Sequence, residues 1–565
     1  MTSTSHALGT TAPPGTSAVL DEAHVGDIRG ALGTIRHGDE GGRPRLSAKL
    51  KTLVTIIGPG LIVMVGDNDA GAFGTYTQAG QNYGTSLVWT LLLLVPVLYV
   101  NQEMVVRLGA VTGVGHARLI LERFGRFWGA FSVIDLFLLN ALTIVTEFIG
   151  ISLGLSYLGL PQVPGVLIAA LVVISAASTG SFRRFERICL VLVVGSLLLV
   201  PILMLAHPPL GLLAHDFVVP GLPSGTKLST VMLLIIGIVG TTVAPWQLFF
   251  QQSYVIDKRI TPRFIGYEKA DLWIGIVIVI IGGVAMMAFS AAAFAGTPDA
   301  GQFSDAGGIA TGLGTYVNRT AGVLFALALI DASIIGAAAV GLSTSYAIGD
   351  VLGLRHSLHR SPSSAKGFYA IFTVLLIGAA LIVIIPGSPL GLLTEGVQTL
   401  AGVLLPSATV FLLLLLCNDR DVLGPWANGW KMNAFTSTVI AVLVMLSIVL
   451  TASVLFPDIT SAAILTILSL GTGLAIVTGL SLVIPLMIRS RNRALPDTTT
   501  RAAHEAPAGT MDAAARCSWR MPPLATLTRP AMSTGRRLGL TMLRSYLVIA
   551  AGMVVVRIVQ LAAGG

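Results

Sequence analysis

The stretches Gly-Asp-Asn-Asp-Ala-Gly at residues 66–71 and Thr-Val-Ala-Pro-Trp-Gln at residues 242–247 each interrupt a long hydrophobic segment at its middle. A carboxylate at the centre of a bilayer costs at least about 2.5 kcal/mol even on the most lenient insertion scale. Asp67 and Asp69, beside a helix-breaking glycine, therefore need a compensating partner, and a cation is the obvious one. Paired interruptions in corresponding halves of a membrane protein are the best sequence indication of a transport site.

The composition excludes a soluble globular protein. The chain has 565 residues, of which 54% are hydrophobic and only 11% are charged, and its mean hydropathy is +0.83. A soluble domain carries roughly 25% charged residues. The three cysteines lack the spacing of a zinc site or a disulfide framework. No nucleophile–base arrangement, phosphate loop or zinc motif is present, so we expect neither an enzyme nor a resident cofactor.

Apolar segments of membrane-spanning length recur along almost the whole chain. Twelve predicted spans are centred near Val63, Leu94, Ile144, Val172, Leu197, Gly237, Ile280, Leu329, Leu376, Leu405, Val442 and Ala475.

The spans divide the chain into five predicted regions. Residues 1–50 are polar and rich in Ser, Thr, Gly and Pro, which predicts a disordered cytoplasmic tail. Residues 51–418 contain a transport core of ten spans, and residues 419–491 contain two more. Residues 492–537 predict a flexible cytoplasmic linker, and residues 538–563 predict a thirteenth span.

The positive charges predict the orientation of the chain in the membrane. Lys and Arg cluster in every second connection between spans, beginning before the first span. The positive-inside rule then places the N-terminus and these loops in the cytoplasm, and the thirteenth span takes the C-terminus outside. The net charge of +8 is thus explained by topology and not by a nucleic acid partner. We expect a multi-pass plasma-membrane protein whose surroundings are the lipid bilayer, with no obligatory protein partner.

The two interruptions predict the arrangement of the core. They lie in the first and sixth spans, and this odd offset makes the two helices run in opposite directions. Gly66 and Gly71 permit irregular backbone at the first break. Pro245 removes a helical hydrogen bond at the second and disfavours helical geometry at Ala244. Two inverted repeats of five helices with discontinuous first helices describe the LeuT-type fold, and we expect an all-α membrane protein of this type.

These motifs resemble those of the NRAMP family of divalent metal transporters. The similarity runs through residues 53–421 and includes Gly-Pro-Gly at residues 58–60 and Gln398 in span ten. The family's Asp-Pro-Gly-Asn motif becomes Asp-Ala-Gly-Ala at residues 69–72, and its Met-Pro-His motif becomes Ala-Pro-Trp at residues 244–246. The resemblance implies metal ligation by one carboxylate, by backbone carbonyls and by one amide oxygen: Asp69, the carbonyls near Gly66, Thr241 and Ala244, and Gln398.

The departures from the family motifs bear on the transported metal. The family's Asn ligand is lost at Ala72 and its thioether at Ala244. A thioether favours soft transition metals, so its loss leaves an all-oxygen site suited to hard cations. The pattern resembles the NRAMP-related magnesium-transporting branch, and manganese remains compatible because it accepts oxygen ligands. Asp67, Asn68 and Gln247 could add oxygens or hold waters, although Asp67 could also cap a helix or support the ligands.

The residues that the family uses for proton transport are partly missing. The span-six His position is occupied by Trp246, and in span three Glu147 remains while Gly150 stands where a second acid would be. Because proton relays need chains of titratable groups, we expect weak or absent proton coupling. Glu103 stands four residues before Arg107, which predicts a structural ion pair.

Two other functions are compatible with the same fold. One is a sodium-coupled symporter for an amino acid or another small organic solute, although an anionic substrate would be repelled by Asp67 and Asp69. The other is a metal sensor that does not transport and that signals through the linker at residues 492–537. Transport of a divalent cation by alternating access is the leading hypothesis.

Overall fold

The apolar segments of the chain form α-helices that pack side by side. The computed structural model describes residues 22–385, 397, 406–456, 459–492, 513–527, 530 and 537–545. The helices are α1 (Leu46–Ile56), α2 (Pro59–Gly66), α3 (Ala70–Tyr83), α4 (Trp89–Thr112), α5 (His116–Phe124), α6 (Arg126–Tyr157), α7 (Gln162–Ala177), α8 (Phe182–Gly195), α9 (Leu199–Ala206), α10 (Leu210–Val218), α11 (Leu228–Thr242), α12 (Pro245–Asp257), α13 (Ile265–Phe294), α14 (Ala306–Gly312), α15 (Arg319–Leu352), α16 (Lys366–Val383), α17 (Pro406–Cys417), α18 (Arg420–Leu423), α19 (Trp430–Leu455), α20 (Ser461–Asn492), α21 (Ala513–Ser518) and α22 (residues 537–545).

Eight helical segments among the described residues are long and apolar enough to cross a membrane, and α1 with α2, bent by 51°, would make a ninth. The eight are Trp89–Thr112, Arg126–Tyr157, Phe182–Ala206, Leu228–Asp257, Pro262–Phe294, Arg319–Leu352, Lys366–Val383 and Trp430–Ser453. All predicted span centres lie within these segments or within α2, α7 and α20, except Leu405, which lies outside the described residues. Of the predicted thirteenth span, only the start is described, as α22.

Both predicted interruptions are present. α2 ends at Gly66 and α3 begins at Ala70. α11 ends at Thr242 and α12 begins at Pro245, with Ala244 extended at φ −74° and ψ 138°. This extended geometry is what a following proline imposes. Residues with helix-breaking chemistry therefore end both helices at the predicted positions.

The two halves of the first broken span, α2 and α3, both pack against α13. α6 packs along α15. Gly60 makes the first contact possible, because a Cβ atom there would lie 2.6 Å from the backbone of Leu272. Asp271 stabilises the same junction, since its carboxylate accepts hydrogen bonds from the backbone N–H groups of Gly58 and Gly60 at 3.1 and 2.7 Å. These contacts hold the start of α2 against the N-terminal part of α13.

Part of the predicted tail at residues 1–50 is ordered, which differs from the sequence-based prediction. β1 (Ile28–Gly30) and β2 (Gly33–Ile35) form an antiparallel hairpin in which Ile28 pairs with Ile35. Arg183 of α8 donates to the carbonyls of Gly30 and Gly33, both at 3.0 Å. The hairpin packs on α1, which follows it in the chain, but its hydrogen-bond partners Arg183 and Arg187 are about 150 residues away in sequence, so the composition of the tail could not reveal them. Residues 1–21 lie outside the described residues.

The predicted linker at residues 492–537 also contains an ordered segment. The indole Nε1 of Trp426 donates to the carbonyl of Arg516 in α21 at 3.0 Å, and the Arg516 guanidinium stacks 4.3 Å above the Trp426 ring. Trp519 packs directly on Gly424. The segment around α21 is therefore docked at the junction between α18 and α19.

Candidate metal site

Asp69 caps the N-terminus of α3 at the first break. Its Oδ1 accepts a hydrogen bond from the backbone N–H of Ala72 at 2.9 Å, and the residue is only 3% exposed. Capping by a carboxylate satisfies one of the free N–H groups of the helix. The positive end of the helix dipole also favours a negative charge here. The fold thus fixes the Asp69 carboxylate at the break.

Glu147 of α6 reaches the same helix end. Its Oε2 accepts a hydrogen bond from the backbone N–H of Ala70 at 3.2 Å. α15 makes room for it at Gly336, where a Cβ atom would lie 2.7 Å from the Glu147 carboxyl carbon. Because Ala70 directly follows Asp69, two buried carboxylates share the N-terminus of α3.

Asp67 joins the first break to the second. Its Oδ1 accepts a hydrogen bond from Nε2 of Gln247 in α12, and the same amide nitrogen lies 3.3 Å from the carbonyl oxygen of Thr242. Gln102 of α4 in turn donates from Nε2 to the Gln247 Oε1 at 3.0 Å. Asp67 is fully buried, and its Oδ2 has no hydrogen-bond partner among the described residues.

Asn68, between the two acids, faces away from them. Its side-chain amide donates to the carbonyl of Val279 in α13 at 3.2 Å, and it packs on Gly282. In this conformation Asn68 holds the unwound segment against α13. A second link between the repeats is the 2.7 Å hydrogen bond between the hydroxyls of Tyr76 and Thr242.

Of the remaining predicted ligand positions, those that the structure describes lie around the two breaks. Ala72 contributes its N–H to Asp69 and a methyl group to the core. Thr241 and Ala244 are both buried at the second break. Gln398 lies outside the described residues. The ligand set as a whole stays a prediction.

Two of the predicted coupling positions have no titratable group. Trp246 is fully buried, and its indole lies 3.6 Å from the point where a Cβ atom of Gly66 would be. At Gly150 a Cβ atom would lie 2.4 Å from the Ser333 hydroxyl and 2.7 Å from Cβ of Ala70. The packing of α6 on α3 and α15 therefore leaves no space for an acid at position 150.

Gln102, Thr242 and Tyr76 were missed as site residues by sequence reasoning. Gln102 carried a usable signal, since an Asn-Gln pair at residues 101–102 lies in the middle of the apolar helix α4 and is buried. A buried amide must find hydrogen-bond partners, and here the partner is Gln247. The predicted ion pair of Glu103 with Arg107 is confirmed, with an N–O distance of 2.9 Å.

A cavity of about 20 Å³ adjoins the first break. Ala70, Thr75, Gln78, Gly150 and Asp305 are among the residues that line it. A single water needs about 10–15 Å³, so the cavity is the size of one water molecule.

The ligand chemistry at the breaks is that of hard oxygens. Within the residues that the structure describes, no three His, Cys, Asp or Glu side chains converge as in a resident metal site. What converges instead are the two carboxylates of the break, amide groups and the backbone freed at the helix ends. Such a set suits a cation that is bound transiently and keeps part of its water shell.

The fold and the site together define a helical membrane transporter of the LeuT type with an acidic centre. The family model described as natural resistance-associated macrophage protein-like (Nramp) matches residues 60–453. The chain belongs to the Nramp family of divalent metal cation transporters, in which the metal is the substrate and not a cofactor.

Curated relatives and solved structures agree with this assignment. The divalent metal cation transporter MntH of Ralstonia nicotianae is 30% identical over 416 residues, covering 70% of this chain and 89% of the relative. The MntH of Burkholderia ambifaria is 26% identical over 433 residues, covering 74% and 92%. The crystal structure of the Eremococcus coleocola manganese transporter, in complex with an aromatic bis-isothiourea substituted compound, superposes with a TM-score of 0.58 at 19% identity, covering 80% of this chain and 98% of that one. The relatives are transporters and not enzymes, as predicted.

Proposed function

We propose that this chain transports magnesium or manganese across the plasma membrane by alternating access. The observation that carries the proposal is the pair of buried carboxylates, Asp67 and Asp69, at the point where the two broken helices meet. Charges buried at this depth persist only with a partner, and a transported dication supplies one. The relatives' names, which specify divalent metal cations and manganese, support the class of substrate.

The preference for a hard cation rests on Ala244. The position that bears the thioether in the resembling family carries a methyl group here, on an extended backbone at the second break. Without sulfur, the ligands at hand are oxygens, which magnesium and manganese accept and cadmium does not prefer.

The orientation of the chain follows from its charges. The hairpin of β1 and β2 accepts hydrogen bonds from Arg183 and Arg187 of α8, and the carbonyl of Ala23, which precedes the hairpin, accepts one from Arg259 beyond α12. These arginines belong to the basic connections that the positive-inside rule places in the cytoplasm. We therefore place the N-terminus of the chain in the cytoplasm and its C-terminus, beyond α22, outside the cell.

The membrane potential is sufficient to drive uptake. Moving two charges through 100 mV, inside negative, is worth about 4.6 kcal/mol. This corresponds to a concentration ratio of roughly three orders of magnitude without any proton gradient. The sodium-coupled alternative is less favoured, because Asp67 and Asp69 would repel the carboxylate of an amino acid or another anionic solute.

The metal preference is tested by competition in reconstituted vesicles. Wild-type protein in proteoliposomes loaded with a metal-sensitive dye should take up magnesium or manganese, with cadmium a weak competitor. Ala244→Met should strengthen cadmium inhibition about tenfold, or about 1.4 kcal/mol, because it restores a soft thioether.

Ala244→Leu is the matched control, since it adds similar bulk without sulfur. It should not strengthen cadmium inhibition. Strong cadmium preference in the wild type would contradict the hard-cation assignment, and absence of uptake of every dication would contradict the function itself.

Proton coupling is tested with a pH dye in the same vesicles. Manganese uptake should proceed without internal acidification above that of protein-free liposomes. The reason is that Trp246 cannot titrate and that Ser333 and Ala70 fill the space where an acid at Gly150 would stand. Acidification that rises in proportion to metal flux would show instead that Glu147 alone suffices for coupling.

A further inference from the structure

We propose that the Asp67 carboxylate and the Thr242 carbonyl form a second position for a hard divalent cation beside Asp69, which the amide nitrogen of Gln247 occupies in this conformation. Gln102 is the positioning residue that holds Gln247 there. The inference rests on the proposed function and refines it, because it assigns the two acids of the break to two adjoining cation positions.

The chemistry of the partners fixes the orientation of the Gln247 amide. The Asp67 carboxylate and the Thr242 carbonyl are both acceptors, so only the NH₂ group of Gln247 can face them. Its Oε1 must then point the other way, where Gln102 donates to it at 3.0 Å. The three side chains form a directed chain of hydrogen bonds from α4 through α12 to the first break.

The oxygens that face the amide nitrogen are those that a hard cation would use. Thr242 is the last residue of α11, so its carbonyl has no helical partner. Asp67 is fully buried, and its Oδ2 has no partner among the described residues. A buried carboxylate that is only half satisfied is unfavourable. A donor placed between a carboxylate and a free carbonyl therefore takes the place of a cation at oxygens typical of magnesium sites.

This arrangement makes Gln247 a competitor of the metal rather than a ligand. A cation that binds Asp67 must displace the Gln247 NH₂ group, which breaks its contact with Thr242 as well. The apparent affinity is then the intrinsic affinity multiplied by the fraction of molecules in which the Gln247 amide has left Asp67. Gln102 lowers this fraction because its hydrogen bond to Gln247 favours the orientation in which the NH₂ group contacts Asp67.

The test is magnesium binding to the purified full-length protein by isothermal titration calorimetry. Gln247→Leu has similar bulk and no donor, and it should lower the apparent Kd for magnesium about five- to tenfold if the amide is seated in roughly nine molecules of ten. A raised Kd would make Gln247 a ligand, and an unchanged Kd would mean that no competition exists; either result overturns the inference.

A second variant tests the role of Gln102, and it replaces Gln247→Leu as the test of the inference if that variant does not fold. Gln102→Leu removes the donor that holds Gln247 and should lower the Kd in the same direction. The double variant should show no further gain, because both changes act through one contact; additive effects would contradict the positioning role. Asn101→Leu, at a neighbouring buried amide of α4, is the matched control and should leave the Kd unchanged.

The outcome is distinguishable from failure of the proposed function. Vesicle uptake by an Asp69 variant reports on transport at the first position alone. If Asp69→Ala abolishes uptake while Gln247→Leu weakens magnesium binding, only the second position is wrong. If Asp69→Ala has no effect on any dication, the proposed function fails whatever Gln247 does.

Discussion

Replacing Asp69 by alanine is expected to lower magnesium and manganese uptake by at least about 100-fold. A charge at the bilayer centre costs about 2.5–3.5 kcal/mol without a partner, and in the proposed site the Asp69 carboxylate is the partner of the cation. The measurement is initial uptake into dye-loaded proteoliposomes at equal amounts of inserted protein. The substitution also removes the cap of α3, which contributes about 1 kcal/mol to stability.

Two further variants separate the loss of the charge from the loss of the cap. Asp69→Asn keeps a good capping side chain for the Ala72 N–H and removes only the charge, so it should transport as poorly as Asp69→Ala. Asn318→Ala removes the cap of α15, where Oδ1 accepts from the Ala321 N–H at 2.9 Å, and should transport normally. Full activity of Asp69→Asn would show that the carboxylate is needed only for folding.

The sequence was sufficient to place both helix breaks. Asp67 and Asp69 interrupt an apolar segment of membrane-spanning length, so their position alone indicates that the helix is broken there. Pro245 acts through local backbone geometry, which a sequence shows directly. The fold class followed, because the positions of the two breaks and the alternation of basic loops both depend on local features of the chain.

The organisation within the site could not be predicted in the same way. The sequence shows that Gln247 is near the second break, but a glutamine can offer either an oxygen or an NH₂ group. Which one faces Asp67 depends on Thr242 and on Gln102. Gln102 belongs to another helix, 145 residues away, so the donor role of Gln247 is a property of the packed structure.

The ordered hairpin was missed for a related reason. Residues 28–35 are too short a segment to form a stable hairpin alone, and their order depends on contacts with α1, α8 and the end of α12. Glu186 is the centre of this contact: one carboxylate oxygen accepts from the backbone N–H of Ala31, and the other from Lys258 at 2.6 Å. The stability of this buried pair is therefore the most direct test of how the hairpin and the helices are held together.

Lys258→Met is expected to destabilise the protein by about 3–5 kcal/mol, because it leaves the buried Glu186 carboxylate without its cation. Both side chains are completely buried, and the Lys258 ammonium also donates to the carbonyls of Ile56 and Ile57 at 2.6 and 2.9 Å. These carbonyls end α1 just before the bend into α2, so the loss reaches the first broken span. The measurement is the free energy of unfolding in detergent, followed by denaturant titration.

The expected loss of stability comes from the uncompensated charge of Glu186, and two comparisons isolate this effect. The double change Lys258→Met with Glu186→Leu should recover much of the lost stability, since a buried pair replaced by apolar groups is often tolerated. Lys269→Met removes an ammonium that is 33% exposed and lies 2.8 Å from Glu103, and should cost less than about 1 kcal/mol. Equal effects of Lys258→Met and Lys269→Met, or a double variant no more stable than Lys258→Met, would mean that the packing of the lysine side chain, and not the buried charge of Glu186, holds the hairpin and α1 in place.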